Sequence, residues 1–201
     1  MGSPDNIFFD LRDLAALGEG TIIGKTVRIR KPARCRIGAY SVIDDFSYIS
    51  CGITVGCFTH VGAQAVMIGG VAQITIGDFV NIAPGCRLIA SSNDFLGGGL
   101  RGPAIPDEFA GEAITAEIVL EDHVLLGTDT VILPGCHLPE GVATGAMTLI
   151  TPKHKLEPWT CYAGIPARPI RPRQPQQMLA SAAKLKARFP QLFPPPRPDR
   201  A

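Results

Sequence analysis

Aromatic residues and long apolar runs are scarce in this sequence. Only 6% of its 201 residues are Phe, Trp or Tyr, although 46% are hydrophobic. A core with so few large rings must be narrow and filled by aliphatic and small side chains. A transmembrane helix needs about 20 consecutive apolar residues, and no run approaches that length. The start, Met1–Asp5, lacks a basic segment leading into an apolar stretch, so we expect no signal peptide.

Paired cysteine motifs are also absent. The six cysteines include no C-x-x-C pair, which argues against a zinc ribbon or a thioredoxin-type redox site. Because no secretory signal is expected, we predict a reducing, cytoplasmic location and free thiols. Cys86 and Cys136 occupy inward-pointing positions of the repeat described below, where we expect them to fill the core.

Basic residues are few in the first three-quarters of the chain and acidic residues are few in the rest. The two parts therefore carry opposite net charges, which nearly cancel in the formal net charge of +1. Residues 1–151 carry 9 Lys and Arg against 16 Asp and Glu, whereas residues 152–201 carry 10 against 2. An acidic body with a basic end is a poor signature of nucleic-acid binding, but the basic end could meet a small polyanionic ligand. A solvated basic C-terminal helix is the other interpretation.

A repeat of six residues runs through most of the chain. Aliphatic side chains or Met recur at every sixth position within each block, with Thr144 as the departure. They are Ile23, Ile29, Ile37, Ile43, Ile49, Val55, Val61, Met67, Ile76, Ile82, Leu88, Leu120, Leu126, Ile132, Leu138, Thr144 and Ile150. Most of the residues four positions later are small or β-branched. They are Ser41, Ser47, Ile53, Thr59, Ala65, Val80, Cys86, Ser92, Val124, Thr130, Cys136, Val142 and Thr148.

This period fits short straight strands joined by tight corners, and it fits neither an α-helix nor a long strand. Both members of a hexad share parity, so they point to the same side of an extended segment. Three such segments per coil make a triangular prism. We therefore predict an all-β solenoid of five to six coils at residues 21–155, preceded by a cap at 1–20 with a short helix at 10–17.

Two stretches depart from the repeat. The register is lost over residues 94–119, and a loop of this length inside a compact domain is usually functional. The C-terminal segment, residues 156–201, contains good helix formers at 176–188 with apolar residues along one side, followed by a Pro-rich tail. We predict a helix there.

The hexad register resembles that of the hexapeptide-repeat acyltransferases. Residues 162–171 (YAGIPARPIR) are also similar to the segment that closes the solenoid in many acetyltransferases of this class. The resemblance implies a left-handed parallel β-helix and a homotrimer with its active sites between subunits. It also implies acetyl-CoA or another acyl-CoA as co-substrate, with no metal.

By matching positions, the resemblance places the pantetheine arm of the coenzyme along the later coils. The residues it assigns to that groove are Gly127, Thr128, Gly145, Ala146 and Thr151. The phosphates of the coenzyme need cations, and the candidates in the basic segment are Lys153, Arg168 and Arg171.

The general base usual in this family is missing. Many members carry a histidine where the large loop leaves the solenoid, and the matching residue here is Asn93, which has no titratable proton. Asp94 could act as the base or orient the acceptor through water. His60 is the second candidate, because it lies at an outward position in a Phe-Thr-His-Val segment similar to one found near the cofactor in amino-sugar N-acetyltransferases.

Loss of the histidine favours N-acylation over O-acylation. An alcohol depends on a base for about 10²–10⁴-fold of its rate, whereas a neutral amine already has its lone pair available. The start of the inserted loop resembles a branch found with nucleotide-linked amino-sugar and O-antigen biosynthesis. That resemblance implies an N-acyltransferase of surface polysaccharide synthesis. It puts Asn93, Asp94 and Glu108 at the sugar amine with Ser92 beside them, and Arg101 at the nucleotide diphosphate.

Three other functions stay open. The first is an O-acetyltransferase with His60 as its base. The second is a zinc protein similar to the γ-type carbonic anhydrases, which need three histidines at a subunit interface, two of them close in sequence. The four histidines of this chain, His60, His123, His137 and His154, include no pair four or five residues apart. The third is a trimer without catalysis.

Overall fold

The computed structural model describes residues 6–100, 102 and 104–193, which form a parallel β-solenoid with three sheets, A, B and C. Sheet A contains β1 (Ala16–Leu17), β4 (Cys35–Ile37), β7 (Gly52–Val55), β10 (Gln73–Ile76), β15 (Ile118–Leu120) and β18 (His137–Leu138). Sheet B contains β2 (Ile22–Ile23), β5 (Val42–Ile43), β8 (His60–Val61), β11 (Asn81–Ile82), β16 (Leu125–Leu126), β19 (Ala143–Thr144), β21 (Thr160–Ala163) and β22 (Arg168–Pro172). Sheet C contains β3 (Arg28–Ile29), β6 (Tyr48–Ile49), β9 (Val66–Ile68), β12 (Arg87–Ile89), β17 (Val131–Ile132) and β20 (Leu149–Ile150).

The remaining elements are not strands of these three sheets. An antiparallel hairpin joins β13 (Ser91–Asn93) to β14 (Ala113–Thr115). The helix predicted at 176–188 is confirmed as α1 (Gln176–Arg188). Short 3-10 helices occupy Leu11–Asp13, Pro32–Arg34, Asp107–Phe109 and Pro190–Leu192. Within the described residues, no helix has the length and apolar character that crossing a bilayer requires.

The repeat of six is confirmed as the origin of the core. All of its 17 principal positions are at most 5% exposed. The register between coils stacks these residues in columns: Ile82, for example, is aligned with Val61 on one side and Leu126 on the other. Because burying an aliphatic side chain contributes about 1.5–3 kcal/mol, the columns supply the main driving force for coiling.

Thr144 takes an aliphatic position without leaving a polar group unpaired. Its Oγ1 accepts a hydrogen bond from the Gly127 N–H at 3.0 Å and lies 2.8 Å from Oγ1 of Thr130. The buried Thr130 hydroxyl also lies 2.7 Å from the Gly127 carbonyl oxygen. A buried hydroxyl is costly unless it is hydrogen-bonded, so this closed set of contacts makes the departure tolerable.

The solenoid has about seven turns, and the prediction of five to six coils was therefore slightly low. β1 pairs with β4 and opens the first coil, within the segment expected to be helical at 10–17, where only Leu11–Asp13 forms a helical turn. β21 pairs with β19 and starts a seventh turn. Each of these strands pairs with backbone groups of β4 or β19 that would otherwise form an open sheet edge. The need to pair such an edge leaves no trace in the side-chain period.

Several of the scarce aromatic rings lie outside the core, on the corner where sheet A turns into sheet B. Tyr40, Phe58, Phe79 and His123 stack in successive coils with ring centroids 5.1, 5.9 and 5.1 Å apart. Each has a φ between +53° and +62°. That conformation costs a residue with a side chain roughly 1–2 kcal/mol, which the stacking of the rings helps to offset.

The C-terminal segment packs along this aromatic corner. The ring of Phe189 lies 5.2 Å from that of Tyr40 and 5.5 Å from that of Phe58. One coil further along the corner, the Lys186 ammonium lies 5.3 Å from the ring centroid of Phe79, a cation–π geometry. Helix α1 and the residues after it therefore cover the corner and tie several coils together.

The inserted loop leaves after β12 and returns at β15 without disturbing the stack, because β10 pairs directly with β15. The predicted inward position of Ser92 is wrong. The chain turns away after the fully buried Ala90, and Ser92 lies half-buried in the hairpin opposite Ile114. The parallel register resumes at Ile118, aligned with Ile74.

Cysteine reactivity tests the core directly. Burial raises the pKa of Cys51, Cys86 and Cys136 to about 11, and all six cysteines are free thiols. Because the thiolate is the reactive form, we expect a thiol reagent at neutral pH to modify only the half-buried Cys161 and Cys57 in the native protein, with Cys57 the slower because burial raises its pKa. The denatured chain should react at all six, and rapid native labelling of Cys86 would contradict the buried columns.

Candidate active site

A cleft of about 590 Å³ lies where the hairpin and the inserted loop fold over the outer face of sheet C. This volume is within the range of small-molecule sites, about 300–1,000 Å³. Ile68 and Ile89 of sheet C form its floor, and the hydroxyls of Ser50, Ser91 and Ser92 line it. The cleft is therefore apolar at its base, with a few polar groups able to orient a ligand.

The predicted residues Asn93 and Asp94 are adjacent in the chain, but Asp94 lines a neighbouring cavity of about 370 Å³ that shares Ala113 with the cleft. Asn93 is exposed, ends β13 and lines the cleft. The half-buried Asp94 carboxylate organises the loop, since Oδ1 accepts the Leu96 N–H and Oδ2 accepts the Gly98 N–H, each at 2.8 Å. A carboxylate oxygen can accept more than one hydrogen bond, so a group holding the loop can also meet a ligand.

The residues predicted to bind the substrate are only partly brought together. Ser92 lines the cleft, where its hydroxyl lies 3.4 Å from the Asn93 carbonyl oxygen. Glu108 is exposed in the short helix of the inserted loop. Arg101 lies outside the described residues.

His60 lies on a different face of the prism. It projects from β8 in sheet B, and its Nε2 is 2.8 Å from Oδ2 of Asp44. The two side chains are 44% and 42% exposed, so the pair is accessible to a ligand. Sequence reasoning missed Asp44. The signal for it was the repeat itself, because Val42 and His60 occupy equivalent positions in neighbouring coils and Asp44 follows Val42 by two residues.

Five of the eight residues predicted to bind the coenzyme lie at one end of sheet B. Gly127 and Gly145 stack so closely that a Cβ on Gly127 would lie 2.6 Å from the Gly145 carbonyl carbon. Thr128 and Ala146 follow them as exposed corner residues. Arg168 stands at the same end, because it pairs with Ala163, whose Cβ would lie 3.1 Å from a Cβ on Gly145.

The other three lie elsewhere in the single chain. Arg171 is exposed on β22 opposite Cys161, towards the other end of sheet B. Thr151 follows β20, and its N–H donates to Nδ1 of His154 at 2.9 Å. Lys153 is exposed nearby. One chain therefore spreads these cations over three corners of the prism and does not enclose a complete coenzyme site.

The histidines do not converge on a common point. His60 projects from sheet B, His123 is buried in the aromatic corner, and His137 lies on sheet A with its Nε2 2.6 Å from Glu121 Oε1. Burial also lowers the pKa of His123. Within the described residues, no group of three or more His, Cys, Asp and Glu side chains could hold a metal ion.

Comparisons with known proteins identify relatives along most of the chain. No family model matches the sequence. A dTDP-4-amino-4,6-dideoxy-D-glucose acyltransferase from Escherichia coli is 29% identical over 160 residues, which are 75% of this chain and 81% of that protein.

Solved structures extend the similarity. The N-acyltransferase AntD from Bacillus cereus, in complex with dTDP and 3-hydroxybutyryl-CoA, is 31% identical with a TM-score of 0.81, covering 92% of this chain and 100% of AntD. A variant of AntD bound to dTDP-4-amino-4,6-dideoxyglucose and coenzyme A is 32% identical with a TM-score of 0.80, covering 90% and 98%. The similarity therefore extends over at least nine-tenths of this chain.

Proposed function

Because this chain belongs to the hexapeptide-repeat N-acyltransferases that include AntD, we propose that it transfers an acyl group from acyl-CoA to the amine of a nucleotide-linked amino sugar. The observation that supports an amine as the acceptor is the identity of the side chains at the cleft. The amide of Asn93 lines the cleft in place of a histidine, and the carboxylate of Asp94 lies in the adjoining cavity, which shares Ala113 with the cleft. A carboxylate suits an amine, which needs an acceptor for its proton only as it attacks.

The reaction is an aminolysis of a thioester. The neutral amine attacks the thioester carbonyl carbon, a C–N bond forms, and the C–S bond breaks. The proton leaving nitrogen passes through the Asp94 carboxylate, or through a water bound to it, to the departing sulfur, which leaves as the thiol. The hydrogen bonds from Leu96 and Gly98 hold that carboxylate in place beside the cleft.

The coenzyme occupies the later coils. The close stacking of Gly127 on Gly145 leaves a smooth corner on which the pantetheine arm can lie against backbone groups. Arg168 at the end of that corner, with Arg171 and Lys153, supplies cations for the phosphates, and the arginine fork suits a bidentate contact.

The working form is a homotrimer. One chain spreads the predicted coenzyme cations over separate edges of the prism, whereas a three-fold ring sets unlike faces of neighbouring chains together. At the tip of the loop, Phe95 and Leu96 are 87% and 96% exposed, as expected of side chains that contact a neighbouring subunit. Light scattering coupled to size exclusion measures the mass directly.

A second candidate, O-acylation of a sugar hydroxyl, is favoured by one observation. The carboxylate of Asp44 lies 2.8 Å from the His60 ring, an arrangement that orients an imidazole. A hydroxyl acceptor would need such a base. In this case turnover would depend on His60 and Asp44 rather than on Asp94.

We place the reaction in the cytoplasm, where acyl-CoA and nucleotide sugars are found and where six unpaired cysteines are stable. The acylated sugar would then enter a surface polysaccharide such as lipopolysaccharide.

The deciding experiment mixes the purified protein with acetyl-CoA or 3-hydroxybutyryl-CoA and with dTDP-4-amino-4,6-dideoxyglucose or UDP- and GDP-linked amino sugars. Release of free coenzyme thiol together with a new amide in the mass spectrum is expected for at least one pair. The matched 4-hydroxy nucleotide sugar is the control. Acylation of the hydroxy sugar alone would establish the second candidate, and no transfer to any acceptor would reject both.

A further inference from the structure

Basic residues are concentrated in one short stretch of the acidic body. Residues 1–151 contain nine Lys and Arg, and five of these fall within 28–36. They are Arg28, Arg30, Lys31, Arg34 and Arg36. This stretch passes from sheet C to sheet A around the corner that leads into the second coil.

Two of these cations reach the rim of the cleft. Lys31 Nζ donates to the Gly70 carbonyl oxygen at 3.3 Å. Arg34 donates from Nη1 to the same oxygen at 3.3 Å and from Nη2 to the Val71 carbonyl oxygen at 2.9 Å. Because Gly70 itself lines the cleft, both cationic groups lie within one hydrogen bond of its wall.

Arg28 and Arg36, in the same stretch, have other surroundings. Arg28 lies over the Phe8 ring, 5.5 Å from its centroid. Arg36 is exposed on β4 in sheet A, on another face of the prism. Lys31 and Arg34 are therefore the two cations of the stretch that bond to the rim of the cleft, whereas Arg36, close in sequence, lies on another face.

Among the residues that the structure describes, the positive charge at the rim has no acidic partner. None of the ion pairs formed among the described residues includes Lys31 or Arg34, and their hydrogen-bond acceptors are neutral carbonyl groups. Both side chains are exposed. Uncompensated cations at the edge of a low-dielectric cleft attract an anion.

The cleft is consequently polarised from one end to the other. No charged side chain lines it in the part of the chain that the structure describes. Lys31 and Arg34 lie at the Gly70 rim, while Asp94 follows directly on Asn93 at the hairpin side. A nucleotide-linked amino sugar has the matching polarity, since it carries a diphosphate at one end and an amino group at the other.

We propose that Lys31 and Arg34 bind the diphosphate of the nucleotide-linked acceptor. This assignment rests on the proposed function and adds to it the direction in which the acceptor lies. Arg34 can form a bidentate contact with phosphate oxygens and Lys31 a point-charge contact. The sugar then extends from the Gly70 rim towards Asn93 and Asp94.

Coenzyme A also contains a diphosphate, but its expected groove is remote from this rim. Gly70 belongs to the third coil, whereas Gly145 follows β19 in the sixth. With coils about 4.8 Å apart, the two levels are separated by roughly 14 Å along the axis. The cations at the rim therefore suit the acceptor.

The test compares Lys31→Gln, Arg34→Gln and the double variant with Arg36→Gln, a matched loss of charge on another face. Isothermal titration measures binding of dTDP, UDP, GDP and coenzyme A, and thermal unfolding checks the fold. For the nucleotide that the wild type binds, we expect the Kd to rise at least tenfold in the double variant. The Kd of coenzyme A in all variants, and of the nucleotide in Arg36→Gln, should change less than twofold.

Unchanged nucleotide binding in the double variant overturns the assignment, while acyl transfer by the wild type would leave the proposed function standing. Weakened coenzyme binding with intact nucleotide binding also overturns it, because the cations would then serve the donor. If the wild type binds no nucleotide diphosphate, the assignment and the proposed acceptor fail together. Should the double variant not fold, Lys31→Gln decides the question with a threefold or greater rise in Kd.

Discussion

Replacing Asp94 with Asn is expected to lower kcat for the amino sugar about 100-fold, within the range assigned to loss of general acid–base assistance. The amide cannot accept the proton that leaves the attacking amine. It also cannot accept both of the N–H groups, of Leu96 and Gly98, that the carboxylate oxygens now hold. The loop at the mouth of the cleft should loosen, so the KM for the acceptor should rise as well. Steady-state kinetics at saturating acyl-CoA measure both effects.

His60→Gln is the matched comparison, since it removes the other candidate base and keeps a polar side chain of similar size. We expect a kcat decrease of less than tenfold for the amino sugar. Asp44→Asn, which leaves a polar partner at hydrogen-bond distance from His60, should behave like His60→Gln. An equal or larger loss in the His60 variant would reverse the assignment and move the site to sheet B.

Ile82→Ala should lower the free energy of unfolding by about 2–5 kcal/mol, the range measured for large-to-small substitutions in cores. Ile82 is fully buried in the fourth coil, between Val61 and Leu126. Neighbouring coils are held in register by backbone hydrogen bonds, so they cannot collapse freely into the vacated volume. Urea unfolding followed by circular dichroism measures the loss.

Asn81→Ala is the control on the same strand. Its side chain is exposed and points away from the core, so a change within about 0.5 kcal/mol is expected. Equal destabilisation by the two variants would show that the stacked columns are not what stabilises the prism.

Much of the fold could be predicted from the period of six. Side chains with fixed parity on short strands must point inward together, so the buried positions follow from the sequence alone. The terminal strands β1 and β21 could not be predicted this way, since they are required by unpaired backbone groups rather than by a side-chain pattern. Ser92 was misplaced for a related reason: its spacing continues the hexad, but the chain has already turned into the hairpin.

The candidate site could be predicted less completely. The break in the repeat placed the predicted site at Asn93 and Asp94, because an interruption of a regular solenoid is visible in sequence. The Asp44–His60 pair and the contacts of Lys31 and Arg34 with Gly70 join residues 16 to 39 positions apart. Such contacts depend on which face each side chain takes and on the exact register between coils.

The sequence by itself determined the three-sided solenoid, its aliphatic columns and the position of the inserted loop, since these follow from local periodicity and its interruption. Only the tertiary structure decided that the loop folds over sheet C, that His60 lies on another face, and that a basic stretch from the first corner reaches the same cleft. The physical reason is that stacking coils converts distant sequence positions into neighbours, and the faces they share are set by register and corners rather than by composition.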